Sequence, residues 1–237
     1  MTGALIALLT ASLLFAASAA AKPFVAILGD ARGAEAADLL TPFAILAESG
    51  AVEVKIVAPT PEKIRLTPGM AWATPQMTFE ALEARRPDVV IVPAMTVEDD
   101  PARFDWLRAR LRDGARIMSI CNGARVLAAA GLLDGREAVV HWYSRDELAR
   151  KHPAVRWRRD VRWISDGPIT TTAGISASEP ATLQLLRELA GEEVMRATAS
   201  RLAMVRAAWF LVKRCDLAGQ HSVLQPESLI LAQNERW

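Results

Sequence analysis

The chain has 237 residues, 51% of them hydrophobic and 23% charged, which is ordinary globular usage and excludes a disordered chain. Its 28 Lys and Arg nearly cancel 27 Asp and Glu, so no overall basic field exists to collect nucleic acid, and none is expected as a partner. Two cysteines exclude a disulfide scaffold, no spacing matches a zinc site, and at roughly 100–200 residues per domain the length allows one domain or at most two.

Residues 1–21 carry no charge. An apolar run over 4–17 is followed by Ser18-Ala19-Ala20-Ala21 and then Lys22. That is the pattern of a signal peptide, and Ala17-Ser18-Ala19 fits the A-x-A cleavage rule, although the positively charged leading region is missing. An uncleaved membrane anchor competes, since about 20 apolar residues can just span a bilayer. A buried first helix is the third reading. The expectation is export: 1–21 is a signal peptide or anchor, the mature chain begins near Ala20 to Lys22, and the protein lies in the periplasm or on that face of the inner membrane. It would touch a membrane only if the segment stays uncleaved.

After this segment, 24–28 reads as a short buried strand, 29–33 as a turn and 34–49 as a helix closed by Gly50. A second strand is expected over 52–57. Asp88-Val-Val-Ile-Val92 is the clearest strand, because a continuous β-branched run implies burial on both faces. Asp100-Pro101 opens a helix to about Arg112, with Asp as N-cap and Pro at the first helical position. A strand over 115–120 and a helix over 122–130 follow. Ser144-Arg-Asp-Glu147 reads as a capping box opening a short helix that ends before Pro153. Two or three short strands are expected over 155–172, and Ser178-Glu-Pro180 reads as the start of a helix to about 190. The Arg-rich stretch from Arg145 to Arg162 reads as a solvated face. One further helix is expected over 192–214. Strands alternating with helices predict a doubly wound α/β fold, with a mostly parallel sheet covered by helices on both faces.

The chemistry concentrates in Ile117-Met-Ser-Ile-Cys121-Asn-Gly-Ala-Arg125. Cys121 stands where a buried strand ends and a helix begins. A sharp turn there exposes a nucleophile, and it needs small residues two before and two after, which Ser119 and Gly123 supply. The helix N-terminus should lower the thiol pKa, and its N–H groups could hold an oxyanion. A buried structural cysteine is the bland alternative.

With these residues the chain resembles the DJ-one/PfpI superfamily, of the class I glutamine amidotransferase-like, flavodoxin-like fold. Gly33-Ala-Glu-Ala-Ala-Asp38-Leu-Leu-Thr-Pro42 is similar to the first-helix motif, an acid four positions before a Pro. Asp88 to Pro93 resembles the strand leading into a Pro-Gly-Gly turn. Ser119-Ile-Cys121-Asn-Gly-Ala124, with the run from Leu127 to Gly135, resembles the nucleophile elbow. Val139-Val-His141-Trp142 resembles a Thr-Thr-His-Trp strand, and Ile169-Thr-Thr-Thr-Ala-Gly174 a late strand and turn. The similarity spans about 24–189, and the nearest branch holds isonitrile hydratase and the N-terminal domains of AraC-type regulators. The domain reading is therefore 22–190 for the family domain and 191–237 for a C-terminal helical extension.

The resemblance implies roles. Cys121 matches the reactive cysteine, Asp38 the acid that hydrogen-bonds it and helps activate water, and His141 the histidine beside the elbow. Asn122, Ala94 and Gly123 match the pocket and oxyanion positions. A carboxyl against a thiolate should be raised in pKa and share a proton with it. Glu35 resembles a second helix acid, but a surface glutamate is the safer reading. Two departures matter: Ala94 and Met95 replace the paired turn glycines, and Asn122 replaces the histidine of the protease-like branch. Peptidase chemistry is thereby disfavoured. The resemblance implies no cofactor, no metal and a homodimer.

Three functions stay open: an enzyme hydrating or hydrolysing a small electrophile, a small-molecule-binding or sensory domain, and a redox protein oxidised at Cys121. The residues after 189 are too few for the helix-turn-helix pair of an AraC-type regulator, and the export signal also argues against one.

Overall fold

The computed structural model describes residues 21–69 and 71–203. The expected signal peptide or anchor, Cys215 and the last part of the 192–214 helix lie outside the described residues. Among the described residues no helix is long and apolar enough to cross a membrane.

Strand β1 (Phe24–Leu28) is buried along its whole length. A two-residue strand, β2 (Ala34–Glu35), precedes helix α1 (Ala36–Ser49). Strand β3 (Glu53–Ala58) returns beside β1. The next stretch was not assigned from sequence. It forms β4 (Ile64–Thr67), β5 (Ala71–Ala73), β6 (Met77–Thr78) and a 3-10 turn at Ala81–Ala84. Strand β7 (Val89–Val92) leads to α2 (Pro101–Arg112), whose N-cap Asp100 accepts a hydrogen bond from the Arg103 N–H. Then come β8 (Arg116–Ser119), α3 (Gly123–Ala129), β9 (Glu137–Ala138), α4 (Trp142–Lys151) and β10 (Arg156–Trp157). The hairpin β11 (Trp163–Asp166) and β12 (Ile169–Thr172) precedes α5 (Ile175–Ala190) and α6 (Glu192–Arg201).

The central seven-stranded sheet runs β11-β12-β8-β7-β1-β3-β6. Only the edge strand β11 is antiparallel to its neighbour. The chain moves from β1 to β3 on one side and from β7 to β8 on the other, so the winding reverses between β1 and β7. That switch point opens a crevice at the carboxyl ends of the strands. Each face carries its own core. Val25, Ile27, Met118 and Ile120 pack with Leu39, Ile45 and Leu46 of α1 and Leu185 and Leu186 of α5. Ala26, Leu28, Val90 and Ile117 pack with Phe104 and Leu107 of α2 and Val126 and Leu127 of α3. Val194, Met195 and Leu202 seat α6 on the first of these cores. The small sheet β2-β4-β5 and the pair β10-β9 stand apart.

Three local readings need correction. Helix α4 begins at Trp142, and Ser144 lies inside it with its N–H on the His141 carbonyl, so the expected capping box does not open it. His141 is the N-cap rather than a strand residue, because the strand ends at Ala138. Helix α5 begins at Ile175, leaving Pro180 inside it. A proline there cannot donate to the Ser176 carbonyl four residues back. The Arg162 guanidinium donates to that carbonyl instead, which lets the helix start a turn early.

The Arg-rich stretch is partly spent on ion pairs: Arg158 with Glu137 at 2.8 Å, Arg159 with Asp146 at 3.5 Å, and Arg145 with Asp146.

Candidate active site

Three elements meet at the crevice: the start of α1, the segment after β7 and the turn after β8. The turn after β8 is the tightest. Cys121 adopts φ +54°, the left-handed region that a residue with a β-carbon avoids. Such a conformation costs on the order of 1–3 kcal/mol and persists only where its surroundings enforce it. Gly123 shows what enforces it. A β-carbon there would sit 2.1 Å from the Val92 carbonyl oxygen, so only glycine lets the elbow close against β7. The Ile120 N–H donates to that same Val92 carbonyl at 2.9 Å.

Asp38 lies in the first turn of α1 and is fully buried. Its Oδ2 accepts the Ala94 N–H at 3.1 Å, and its Oδ1 has no protein partner. Pro42, four residues on, cannot donate to the Asp38 carbonyl, so the helix ladder is interrupted beside this acid. Glu35 is not a plain surface residue: it is the N-cap of α1, and its Oε2 accepts the Asp38 N–H at 2.6 Å. The sequence signal was present, an acid three residues before another at a helix start.

These placements set the electrostatics. Burial pushes the Asp38 carboxyl up to about 7, the Ala94 N–H opposes that shift, and the charge of Glu35 adds to it. Burial also pushes the Cys121 thiol up to about 12, reinforced by the charge of Asp38, while the Asn122 N–H pulls the other way. The expectation of a lowered thiol pKa is overturned. Cys121 is only 7% exposed and faces a carboxylate, and these effects outweigh the helix N-terminus.

The structure brings Asp38, Ala94, Cys121 and Asn122 together. It also qualifies the oxyanion reading. The Ala94 N–H is taken by Asp38, and the Gly123 N–H is taken by the Ile120 carbonyl at 2.8 Å. Asn122 offers its backbone N–H to the sulfur, and its buried Oδ1 has no protein partner. His141 is not among the residues brought together there. Its Cδ2 lies 3.4 Å from where a Gly174 β-carbon would be, beyond β12, the strand next to β8. Among the described residues no hydrogen bond joins it to Cys121. Trp142 and Tyr143 follow it, each 77% exposed. Among the described residues no group of three or more His, Cys, Asp and Glu stands together to hold a metal ion.

The model of the DJ-1/PfpI family matches residues 25–188. The chain belongs to the DJ-1/PfpI family. Isonitrile hydratase from Pseudomonas putida is 32% identical over 158 residues, which are 65% of this chain and 67% of that protein. The HTH-type transcriptional regulator CdhR from Pseudomonas aeruginosa is 38% identical over 94 residues, 40% of this chain but only 28% of the regulator. Among solved structures, Drosophila melanogaster DJ-1beta superposes with a TM-score of 0.70 at 20% identity, covering 77% of this chain and 98% of that one, a likeness of fold.

Proposed function

We propose that this DJ-1/PfpI protein hydrates or hydrolyses a small electrophilic compound in the crevice, as an isonitrile hydratase does, with Cys121 as nucleophile and Asp38 as acid and base. The observation that carries the reading is Asp38: a fully buried carboxyl beside a thiol, with one oxygen fixed by Ala94, the other unpartnered, and a pKa near neutrality. A group that titrates near the working pH is the most effective proton carrier.

The thiol, pushed up to about 12, holds its proton more tightly than the carboxyl near 7, so complete proton transfer before attack is uphill. The proton therefore leaves the sulfur as the sulfur–carbon bond forms. Asp38 takes it and returns it to the substrate atom that gains the electron pair. In a hydration, water then adds to the same carbon and the sulfur departs and recovers its proton, so the net change is addition of water. In a hydrolysis the leaving group departs with the proton from Asp38, and water then displaces the sulfur, which recovers its proton. The rate should rise as pH passes upward through about 7, where Asp38 ionises. The test is a screen of isonitriles, glyoxals and amides against wild type, Cys121→Ala and Asp38→Asn. Full activity in Cys121→Ala would remove the nucleophile from the reading.

A second reading, an effector-binding domain, draws support from the amides of Ala94 and Gly123, which are already engaged and leave few donors for an oxyanion. Saturable binding of one of these compounds with no turnover would favour it. A raised thiol pKa weighs against the redox reading and also favours this second reading over a cysteine nucleophile, because the thiolate is both the oxidisable and the nucleophilic form.

The proposal places this chemistry in the periplasm, on the strength of the uncharged apolar run and the small residues before Lys22. N-terminal sequencing of fractionated cells tests it, and full-length protein in the soluble cytoplasm would defeat it. A homodimer taking a small molecule, without nucleic acid, completes the proposal. Light scattering tests the first part.

A further inference from the structure

Arg125 lies on α3, four residues past Cys121, with a side chain only 15% exposed. Its Nε donates to Glu98 Oε2 at 2.6 Å. Its two Nη atoms donate to the two carboxylate oxygens of Glu147 at 2.9 and 2.8 Å. Glu98 belongs to the segment after β7 that carries Ala94. Glu147 belongs to α4, whose first turn carries Trp142 and Tyr143 beside His141. The backbone hydrogen bonds of the Ala94 segment run the other way, toward the start of α1: Glu35 N–H to the Ala94 carbonyl at 2.8 Å and Thr96 N–H to the Gly33 carbonyl at 3.1 Å. One planar guanidinium therefore ties the Ala94 segment and α4 to the helix behind the cysteine. Only an arginine fork meets two carboxylates in this way; a lysine offers a single point charge.

We propose that Arg125 is a positioning residue that fixes the separation between the Ala94 segment and the aromatic start of α4, and so sets the size of molecule that reaches Cys121. The inference deepens the reading of this crevice as the place where a small substrate enters. Its test reads the thiol itself and needs no substrate.

The experiment compares alkylation of Cys121 by iodoacetamide and by a bulky pyrene maleimide, followed on the Cys121 peptide by mass spectrometry in the full chain. Wild type should react far more slowly with the bulky reagent. In Arg125→Met, which removes all three charged hydrogen bonds, the bulky rate should rise at least about tenfold relative to the small one. Arg125→Lys should fall between the two. Glu147→Gln alters an exposed partner, at a position where substitution is expected to spare the fold; it should shift the ratio in the same direction by less. An unchanged ratio in Arg125→Met and Glu147→Gln overturns the proposal. So does an equal rise for both reagents, which reports general loosening or a changed thiol rather than a widened mouth. Absence of turnover on every compound screened would sink the proposed function and leave this ratio untouched.

Discussion

Two buried acids lie eight positions apart on the same connection, and their environments are opposite. Asp30, just past β1, meets Arg32 through Nε at 2.8 Å and Nη2 at 2.6 Å, and also meets the buried Arg103. Burial alone would raise its pKa, but the hydrogen bonds and charges of Arg32 and Arg103 outweigh it, and the carboxyl is held below the usual range. Asp38, on α1, faces no cation among the described residues. It has one backbone N–H, a neighbouring glutamate and a thiol, and its pKa is pushed up. Burial is common to both, so burial does not decide the outcome; the partners do. A paired buried acid holds structure, and here Asp30 and Arg103 pin the start of α2 near the Ala94 segment, since Arg103 also donates to the Val97 carbonyl at 2.6 Å. An unpaired one, near neutrality beside a thiol, is the group that the proposed reaction uses to carry a proton.

The harshest way to break this contrast is to remove the turn that presents the thiol to Asp38. In Gly123→Val the new side chain meets the Val92 carbonyl, a backbone atom that cannot move without disturbing β7. We expect loss of the folded state or a fall of many degrees in melting temperature. Gly131→Ala is the control: nothing but the end of Asp134 lies near, and only its φ of +70° is strained, a cost of about 1 kcal/mol. Equal melting temperatures in the two variants would refute the elbow. Next in size is Arg103→Met. It leaves Asp30 buried with only the half-exposed Arg32, and stripping one partner from a buried pair costs about 3–5 kcal/mol. Urea unfolding measures it. A loss below about 1 kcal/mol would mean that the pair merely offsets its own desolvation.

How far the sequence reveals this contrast depends on distance along the chain. Strands β1 and β7 and helix α2 were legible because β-branched runs and an Asp-Pro start act locally. The elbow was legible for the same reason: Ser119, Cys121 and Gly123 are neighbours in sequence. The segment between β3 and β7 was missed. Its short strands alternate too few residues to show a period, and β4 owes its place to β2, some thirty positions earlier. The early start of α5 depends on Arg162, outside the helix. The direction of the Cys121 shift was missed because the helix start is adjacent in sequence, whereas the burial that chiefly raises the thiol comes from the tertiary packing around the turn; the pairing with Asp38, 83 residues away, was read from the family resemblance. Asp30 and Arg103, 73 positions apart, drew no attention because only the fold brings them together.

The contrast sharpens when stability is followed against pH. Asp38 has a folded pKa near 7, above the ordinary value of 3.8, so its protonated form favours the folded state. Its contribution is fully present below about pH 4 and is lost as pH rises through 7, by up to roughly 4 kcal/mol. Asp30 has the opposite sign: its contribution is present above the ordinary carboxyl range and is lost as pH falls through its lowered pKa. Asp38→Asn should therefore flatten the stability curve between pH 4 and 7 without altering the acid limb, and Asp30→Asn should do the reverse. Chemical denaturation at several pH values reads both, and a wild-type curve rising between pH 4 and 7 that Asp38→Asn leaves unchanged would show that Asp38 keeps an ordinary pKa.

The smallest effect is at the thiol. Burial is the larger cause of its raised pKa and the charge of Asp38 the second. Asp38→Asn removes only the second. Asparagine can still accept the Ala94 N–H, so the turn should keep its shape. The pH profile of iodoacetamide alkylation at Cys121 should move to lower pH, yet the thiol should still titrate above the unperturbed value of about 8.5, because the sulfur stays buried. A profile that falls below that value would mean that the carboxylate, not burial, holds the proton on sulfur. Asp38 would then act mainly by suppressing a thiolate that the helix N-terminus otherwise favours, and the proton transfer proposed for the reaction would begin from a carboxylate–thiol pair much closer in affinity than 7 and 12.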